Sequence, residues 1–438
     1  DKLYRNEGDH FVDVSEQAGI YGSIIGFGLG VTVGDIDRDG WQDIYVSNDF
    51  FERDYIYMNN GDGTFREVLP RQMRSISGAS MGADMADINH DGYPEIFVTE
   101  MLPEPDARLK TKTTFENWDK YQLNLRYDYY HQFTRNMLQL NNGDVPGRGV
   151  TFSEIGRLAG VEATDWSWGA LIVDLDDDGH RDIFVANGIY QDLTDQDFLN
   201  FIANEQTAKM IIRQEGVDYK TLIDAIPSER IPNYAFAGDG SYHFTNRAAE
   251  WGLDQPSHSN GSAYGDLDND GDLDLVVNNV NMPAFVYRNH ADRRPDHHFL
   301  TVDLKGRAPN TGAIGAHVTL IAGGRQWHLE KMPMRGFQSS MDPRLHFGLG
   351  SVRRIDTLWV QWPYDSLLTL LTDLPVDTFL SLSENYARPP AAFGLPPEAL
   401  PFGKRSRAPW FADEAPARGI GWRHRENTFV DFDRDRLV

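Results

Sequence analysis

The chain has 438 residues, of which 66 are acidic and 41 basic, so its formal charge is −25, and 40% of its residues are hydrophobic. This length allows two or three domains with real cores, while the acidic charge argues against nucleic-acid binding, because phosphates need a basic surface. The absence of cysteine excludes disulfides, thiolate metal sites and cysteine nucleophiles, and the apolar runs are too short for a transmembrane helix.

An all-β fold is favoured by 40 glycines and 12% aromatic residues, and a repeat along the chain specifies it further. Four segments align without gaps: residues 30–46, 82–98, 169–185 and 261–277. Each has a glycine five positions before the first acidic residue, then Asp-x-Asp/Asn-x-Asp-Gly-x-x-Asp/Glu, then three apolar residues. This pattern predicts a strand, a tight loop and a second strand.

Two further elements recur between these loops. Asn-Gly and Asp-Gly turns, which supply the positive φ of hairpins, predict strand pairs at residues 55–65, 137–144 and 234–244. A third element begins with Phe and ends with Gly and an aliphatic residue, at residues 11–20, 152–161 and 244–253. Each repeat therefore has about four strands, the size of one propeller blade.

The two ends of the chain are out of phase with this repeat. Residues 2–11 match the second half of a blade, so its first half, with another acidic loop, is predicted upstream of Asp1. Residues 411–420 match the third element, so residues 411–438 are interpreted as the start of a further repeat. Asp435 has loop-like spacing, but Arg436 replaces the glycine, and no calcium is assigned there. The sequence is interpreted as an internal piece of a longer polypeptide.

The acidic loops predict about four calcium sites. Oxygen side chains at positions 1, 3, 5 and 9 surround a point, and the hard oxygen ligands of a flexible loop suit Ca²⁺ better than Mg²⁺. The predicted side-chain ligands are Asp35, Asp37, Asp39 and Asp43; Asp87, Asn89, Asp91 and Glu95; Asp174, Asp176, Asp178 and Asp182; and Asp266, Asp268, Asp270 and Asp274. At position 7 only the backbone carbonyl is predicted to bind, from Trp41, Tyr93, His180 and Asp272.

Two alternatives to this calcium site are weighed. Acidic turns without metal are disfavoured, because four carboxylates within nine residues repel one another. An EF-hand needs a Glu at position 12 and flanking helices, whereas this sequence has Val46, Val98, Val185 or Val277 there and strand-like flanks.

The loops, with their preceding glycine and following strand, resemble the FG-GAP/VCBS repeats of integrin-type β-propellers over residues 1–290. The resemblance implies a propeller, usually of seven blades, with calcium loops on one rim. Residues 297–384 resemble the ASPIC/UnbV domain through five segments: 310–320, 323–324, 336–340, 346–350 and 356–363. Their short strands and Gly turns predict a small β-sandwich-like or β-barrel-like module, and a Pro-rich linker is predicted at 385–410.

Several features outside the loops remain open. The predicted insertions at residues 101–135, rich in aromatic residues, and 190–232, with helical spacing, either form a ligand-binding face or pack locally. The histidines at 297, 298, 346 and 424 are interpreted as structural rather than catalytic or metal-binding, and no catalytic residue is assigned.

The resulting hypothesis is a non-enzymatic, calcium-stabilised scaffold, outside the cell or at the outer-membrane surface, that binds protein or carbohydrate ligands. The resemblance extends to large surface lipoproteins of Bacteroidota, which implies outer-membrane receptor components as partners and membrane contact only through an upstream lipid anchor. The alternatives are a polysaccharide lyase or hydrolase on a propeller scaffold and a structural subunit of a surface assembly.

Overall fold

The protein is described from a computed structural model that covers residues 1–112, 117–145, 147–204, 219–363, 367–395 and 417–419. Most of the predicted repeat start at 411–438, the second half of the predicted linker and His424 lie outside the described residues. Among the described residues, none forms a helix of the length and hydropathy that crossing a membrane requires.

The chain begins with a hairpin and one complete four-stranded sheet. The hairpin pairs β1 (Tyr4–Asn6) with β2 (Phe11–Asp13) and leads into helix α1 (Ser15–Ala18). The first antiparallel sheet, in the order of the chain, contains β3 (Phe27–Gly34), β4 (Asp43–Asp49), β5 (Tyr55–Asn59) and β6 (Phe65–Glu67), followed by α2 (Leu69–Gln72). This is the predicted blade.

Three further sheets repeat this pattern. The second contains β8 (Ala83–Ala86), β9 (Glu95–Val98), β11 (Met137–Val145) and β12 (Gly149–Glu154), with β7 (Ile76–Ser77) and β10 (Gln132–Phe133) paired beside it. The third contains β13 (Ser167–Val173), β14 (Asp182–Asn187), β15 (Tyr234–Gly238) and β16 (Phe244–Asn246). The fourth has three strands among the described residues: β17 (Ser259–Gly265), β18 (Asp274–Asn279) and β19 (Phe285–Tyr287).

The remaining helices lie between these strands. Among the described residues, two belong to the first insertion, α3 (Asp106–Lys112) and α4 (Trp118–Arg126), and two to the second, α6 (Gln196–Ala203) and α7 (Tyr219–Asp224). Short helices α5 (Gly156–Ala159) and α8 (Ala248–Trp251) occupy the third element of the repeat, as α1 does.

The inner strands β3, β8, β13 and β17 contact one another in chain order, as the blades of a propeller do. The glycine five positions before each loop explains how closely they approach. A Cβ atom at Gly30, Gly82 or Gly169 would lie 2.9, 2.2 or 2.8 Å from a carbonyl oxygen of the following inner strand or, for Gly30, of Met81, two residues before that strand. Only glycine permits this backbone approach.

The C-terminal region folds into two sheets that pack face to face. One has the order β25 (Leu345–Gly348), β20 (Phe299–Lys305), β28 (Thr378–Ser383); the other has the order β22 (Arg325–Glu330), β21 (His317–Ala322), β26 (Arg354–Gln361), β27 (Leu368–Pro375). Side chains of both sheets form one core, including Val302, Val318 and Phe347. This is a sandwich-like arrangement. A small hairpin, β23 (Met334–Arg335) with β24 (Ser339–Ser340), projects from it, and 3₁₀ turns lie at Ala291–Arg293, Glu384–Tyr386 and Pro390–Phe393.

Candidate metal centres at the acidic loops

Each acidic loop joins the inner strand of a sheet to its second strand, and its first carboxylate closes the turn. Asp35 accepts hydrogen bonds from the backbone N–H of Asp39 at 3.0 Å and of Gly40 at 2.8 Å. Asp87 and Asp266 accept the two equivalent bonds in loops two and four, and Asp174 accepts the one from Gly179 at 3.0 Å. The first acidic residue therefore has a structural role as well as the predicted ligand role.

The carboxylate at position 9 ties the loop to the third strand. Asp43 accepts the N–H of Ile36 at 3.0 Å with one oxygen and the N–H of Asn59 at 2.8 Å with the other. Glu95, Asp182 and Asp274 make the corresponding pairs of bonds. The four loops thus share one geometry, although they differ in sequence at six of their nine positions.

Position 4 of each loop has a left-handed backbone conformation that the sequence did not reveal. The φ angles are 63° at Arg38, 59° at His90, 55° at Asp177 and 59° at Asn269. The glycine at position 6 also has positive φ, between 89° and 96° in the four loops, as the predicted sharp turn requires.

Carboxylate oxygens converge in three of the four loops. The oxygens of Asp35, Asp37 and Asp39 lie within 4.8 Å of one another, and two further groups do the same: Asp174, Asp176 and Asp182, and Asp266, Asp268 and Asp274. In loop two, the amide of Asn89 takes the place of the second carboxylate, with its nitrogen 3.5 Å from oxygens of Asp91 and Glu95.

The electrostatics of these groups fit a bound cation. Asp174 is 2% exposed, and its Oδ1 has no hydrogen-bond partner in the described part of the chain. Burial, reinforced by the charges of neighbouring carboxylates, raises the pKa of Asp174, Asp182 and Glu95 well above the ordinary range. Buried carboxylates without a counter-charge are unfavourable, so a cation held by these all-oxygen donors would stabilise the loops, and Ca²⁺ prefers such donors.

The position-7 residues have different surroundings, as expected for residues whose side chains have no shared role. Trp41 lies at the rim beside Gly61, Tyr93 and Asp272 are buried, and His180 is half-buried. The side chain of Asp272 belongs to a separate acidic group with Asp270 and Asp292. The binding of metal through the position-7 carbonyls stays a prediction.

The C-terminal sandwich covers the acidic loops. The sequence did not predict this contact. Glu330 accepts the backbone N–H of Asp35 at 2.9 Å in loop one, and Arg344 donates to the carbonyl of Asp266 at 2.8 Å in loop four. In loop three, Trp327 donates its indole N–H to the carbonyl of Gly179 at 2.9 Å. No local sequence signal marks these residues as partners.

Two of the predicted structural histidines meet at one buried aspartate of loop three. His346 Nε2 and His297 Nε2 lie 2.7 and 3.0 Å from the two carboxylate oxygens of Asp177. Burial opposes ionisation of Asp177, but the charge of His346 and the hydrogen bonds of both histidines lower its pKa. Burial also opposes a charge on His297, but the hydrogen bond and charge of Asp177 raise its pKa. His298 instead contacts Asp377.

The β23–β24 hairpin carries one arginine into the centre of the inner strands. Arg335 donates to both carboxylate oxygens of Asp84 at 2.8 Å, and Asp84 is fully buried on β8. Its other donors reach the hydroxyl of Tyr264 at 2.9 Å and the carbonyl of Ile172 at 3.0 Å. One side chain thus joins three inner strands to the C-terminal region. In the sequence, the only signal for this contact was Asp84, a single acidic residue among the apolar residues of its strand.

The first insertion has two parts that behave differently. Its first helix, α3, is held against the third blade because Arg108 pairs with Asp165 and Asp192, and Lys112 pairs with Asp192. The following segment is more exposed. The rings of Tyr127 and Tyr129 are 6.1 Å apart.

An aromatic strip runs from this segment onto the first blade. We define the strip as Phe50, Phe51, Tyr127 and Tyr129, of which Phe51 and Tyr129 have ring centroids 6.2 Å apart. Three of its members are largely exposed, Phe50 at 61%, Phe51 at 48% and Tyr127 at 60%. The strip lies at the ends of β4 and the insertion, on the rim away from the acidic loops.

Family comparisons agree with this architecture. Residues 35–98 match the family model of the FG-GAP-like repeat, and residues 306–389 match that of ASPIC and UnbV. The chain is therefore an all-β protein in which FG-GAP-like repeats form propeller blades and an ASPIC and UnbV region follows them.

Particular relatives are similar to parts of this chain. Human integrin alpha-6 is 37% identical over 83 residues, a match that covers 16% of this chain and 7% of the integrin. Mouse cartilage acidic protein 1 is 24% identical over 290 residues, which cover 59% of this chain and 41% of that protein. The chain thus spans less than half the length of either relative. The crystal structure of exotype rhamnogalacturonan lyase YesX shows 14% identity over 79% of this chain and 56% of its own, but a TM-score of 0.28 supports no conclusion.

Proposed function

We propose that the protein is a calcium-stabilised binding scaffold that acts outside the cell or at its surface. The proposal depends mainly on the acidic loops, whose shared geometry gathers carboxylate oxygens in a protein with no disulfide to stabilise it. The integrin-like repeats and the integrin alpha relatives support an extracellular location and a binding role.

In this proposal calcium serves structure rather than chemistry. The side chains at positions 1, 3, 5 and 9 would hold the ion, whose positive charge would add to that of Arg294 beside Asp176 and of Arg288 beside Asp270. Because the folded loop binds the ion and the unfolded chain does not, the binding free energy stabilises the fold. The position-9 carboxylates then connect each ion to three strands of its blade.

Ligand contact is proposed at the aromatic strip. The C-terminal sandwich covers the loop rim, whereas the strip on the other rim leaves large aromatic surfaces exposed. Aromatic residues of this kind dominate binding energy at protein interfaces, and flat rings also suit the apolar faces of sugars. Protein and carbohydrate ligands are both included, and an accessory role beside outer-membrane receptor components is the form that the Bacteroidota resemblance implies.

The calcium role predicts a large effect of chelation on stability. We expect excess EDTA to lower the melting temperature by about 10 °C or more, because several sites each contribute about 2–3 kcal/mol at saturating ion, and Ca²⁺ but not Mg²⁺ to restore it. Asp176→Asn should reduce the restoration, whereas Asp106→Asn, on helix α3 of the first insertion with its side chain 82% exposed, should not. An unchanged melting temperature in EDTA would refute the calcium role.

The binding role is tested with arrays of glycans and extracellular proteins. Phe50→Ser and Tyr127→Ser should each lower the affinity for the captured ligand about tenfold or more, since central aromatic residues contribute about 2 kcal/mol or more to binding. Phe11→Ser is the matched control, because this ring is 68% exposed on the N-terminal hairpin. An equal loss of affinity in all three variants would contradict the proposed location of the site. If neither array yields a ligand, the proposed binding role is wrong.

A further inference from the structure

Loop four has an acidic side chain that the other three loops lack. At position 7 it carries Asp272, where the others carry Trp41, Tyr93 and His180. Asp272 is 0% exposed. A carboxylate buried to this extent needs hydrogen bonds or a cation to replace the water that it loses on folding.

The hydrogen bonds of Asp272 satisfy only one of its oxygens. Its Oδ2 accepts the backbone N–H of Asp292 at 3.0 Å, whereas its Oδ1 is buried and accepts no hydrogen bond from the described part of the chain. The Oδ1 of Asp270 is buried in the same way and likewise has no donor there. A hard cation would compensate both atoms, since it binds several carboxylate oxygens at once.

A third carboxylate lies beside these two. Asp270, Asp272 and Asp292 each offer one oxygen, and these oxygens lie within 4.8 Å of one another. Calcium binds oxygen ligands at about 2.3–2.6 Å, so one ion placed among them reaches all three. Asp292 is exposed on the 3₁₀ turn Ala291–Arg293, which gives the ion and its remaining water ligands access from solvent.

This acidic group is separate from the carboxylates that converge at the predicted loop-four site. In loop one, the position-5 carboxylate of Asp39 converges with those of positions 1 and 3. In loop four, positions 1, 3 and 9 converge, and Asp270 at position 5 lies with Asp272 and Asp292 instead. The only ion pair to the group among the described residues comes from Arg288, which reaches Oδ2 of Asp270 and also pairs with the position-3 carboxylate. One shared guanidinium leaves the three carboxylates with a net negative charge.

We propose that Asp270, Asp272 and Asp292 bind a further Ca²⁺ ion, beyond the four loop sites. The new site shares the side chain of Asp270 with loop four. Three carboxylates suit Ca²⁺ better than Mg²⁺, which is usually held by one or two carboxylates and keeps several waters. The ion would fix the junction between the fourth blade and the C-terminal sandwich, because Asp292 lies in the segment that connects β19 to β20. Loop four already touches β20 there, since a Cβ atom at Gly271 would lie 2.0 Å from the ring of Phe299.

Counting bound calcium tests this site directly. After dialysis against about 1 mM free Ca²⁺, Asp292→Asn should hold about one ion fewer per chain than the wild type. The variant keeps the backbone N–H that Asp272 accepts and changes only an exposed side chain. Asp9→Asn is the matched control, because the side chain of Asp9 is 90% exposed on the N-terminal hairpin, and it should bind as many ions as the wild type. Equal counts in Asp292→Asn and the wild type would overturn the proposal, as expected if a proton shared by Asp270 and Asp272 replaces the ion.

Thermal melting distinguishes a bound ion from a structural role of the Asp292 side chain alone. With saturating Ca²⁺, Asp292→Asn should melt about 2 °C or more below the wild type, because the lost ion no longer stabilises the folded state. In EDTA the two proteins should melt together. A difference in EDTA as large as that in calcium would show that Asp292 acts without an ion and would overturn the proposal.

The same counts separate this site from the four loop sites of the proposed function. Loss of an ion in Asp176→Asn but not in Asp292→Asn would leave the loop sites standing and refute the new one. A wild type that binds a single ion, lost in Asp292→Asn, would support the new site and contradict calcium at the loops.

Discussion

The carboxylate at position 9 of each acidic loop accepts backbone hydrogen bonds and also adds to the negative charge of the loop. Asp43 is almost fully buried and accepts one N–H from its own loop and one from the next strand. Burial raises its pKa, and the charges of Asp37 and Asp35 raise it further, although the two hydrogen bonds oppose this. Without a cation the loop therefore favours a protonated carboxyl group, whereas a cation favours the ionised form.

This competition predicts how stability depends on pH in chelator. Burial, with the charge of Asp91, raises the pKa of Asp87 from 3.8 to about 7. The folded state thus holds a proton that the unfolded state releases near pH 4, so this contribution to stability is complete below pH 4 and is lost as the pH rises to about 7. We expect the wild type in EDTA to lose stability relative to Asp87→Asn over that range, measured by urea unfolding at each pH.

Calcium reverses the sign of this dependence and supplies the control. With saturating Ca²⁺, the wild type should gain stability relative to Asp87→Asn between pH 4 and 7, because the ion binds the ionised carboxylate. A difference between the two proteins that is independent of pH in EDTA would contradict the raised pKa of Asp87.

Among the elements, the β23–β24 hairpin is short but contacts several others. Two-residue strands have little stability of their own, but Arg335 contacts groups of three inner strands. Burial opposes the charge on this guanidinium, yet the carboxylate of Asp84 and the hydroxyl of Tyr264 raise its pKa. The hairpin is therefore part of the propeller core, although it belongs to the C-terminal region.

Removal of this arginine should destabilise the whole protein. Arg335→Ala leaves the carboxylate of Asp84 buried without its partner, which typically costs about 3–5 kcal/mol in the free energy of unfolding. Arg354→Ala is the matched control, because Arg354 pairs with Asp373 at the surface, where an ion pair contributes less than about 1 kcal/mol. Both are measured by urea denaturation.

A double variant separates the buried charge from loss of packing. Asp84→Leu combined with Arg335→Met replaces both partners by apolar groups and should recover most of the loss, since well-packed apolar pairs often replace buried ion pairs without cost. If the double variant is as unstable as Arg335→Ala, the unpaired charge is not the cause. A loss with Arg335→Ala no larger than with Arg354→Ala would show that the pair does not hold the hairpin in place.

At the scale of the whole molecule, the sequence predicted those features that repeat locally. The strand–loop–strand units and the all-β class are confirmed, because a glycine, an acidic loop and an apolar strand recur within 17 residues. The same pattern predicted the convergence of carboxylates, as at Asp35, Asp37 and Asp39. It did not reveal why Gly30 is needed, since the carbonyl that approaches it belongs to Met81 in the next blade.

Contacts between segments far apart in the sequence could not be predicted from the sequence alone. Asp84 and Arg335 are 251 positions apart, and no sequence motif links the two residues. The helical prediction for the second insertion was accurate in part: α6 occupies Gln196–Ala203, while residues 205–218 lie outside the described chain. The first insertion was assigned either to binding or to packing. Arg108 packs its beginning against the third blade, and ligand binding by its later, exposed aromatic rings stays a prediction.

The hairpin at Arg335 also constrains the order of events during biosynthesis. Asp84 leaves the ribosome 251 residues before Arg335 does, which at common elongation rates is a delay of about 10–50 s. Throughout that interval the nascent sheets lack the guanidinium around which β8, β13 and β17 assemble. We therefore expect that the blades do not reach their full stability one after another as they are translated. Their consolidation waits for the sandwich, and chaperone demand should be greatest in this window.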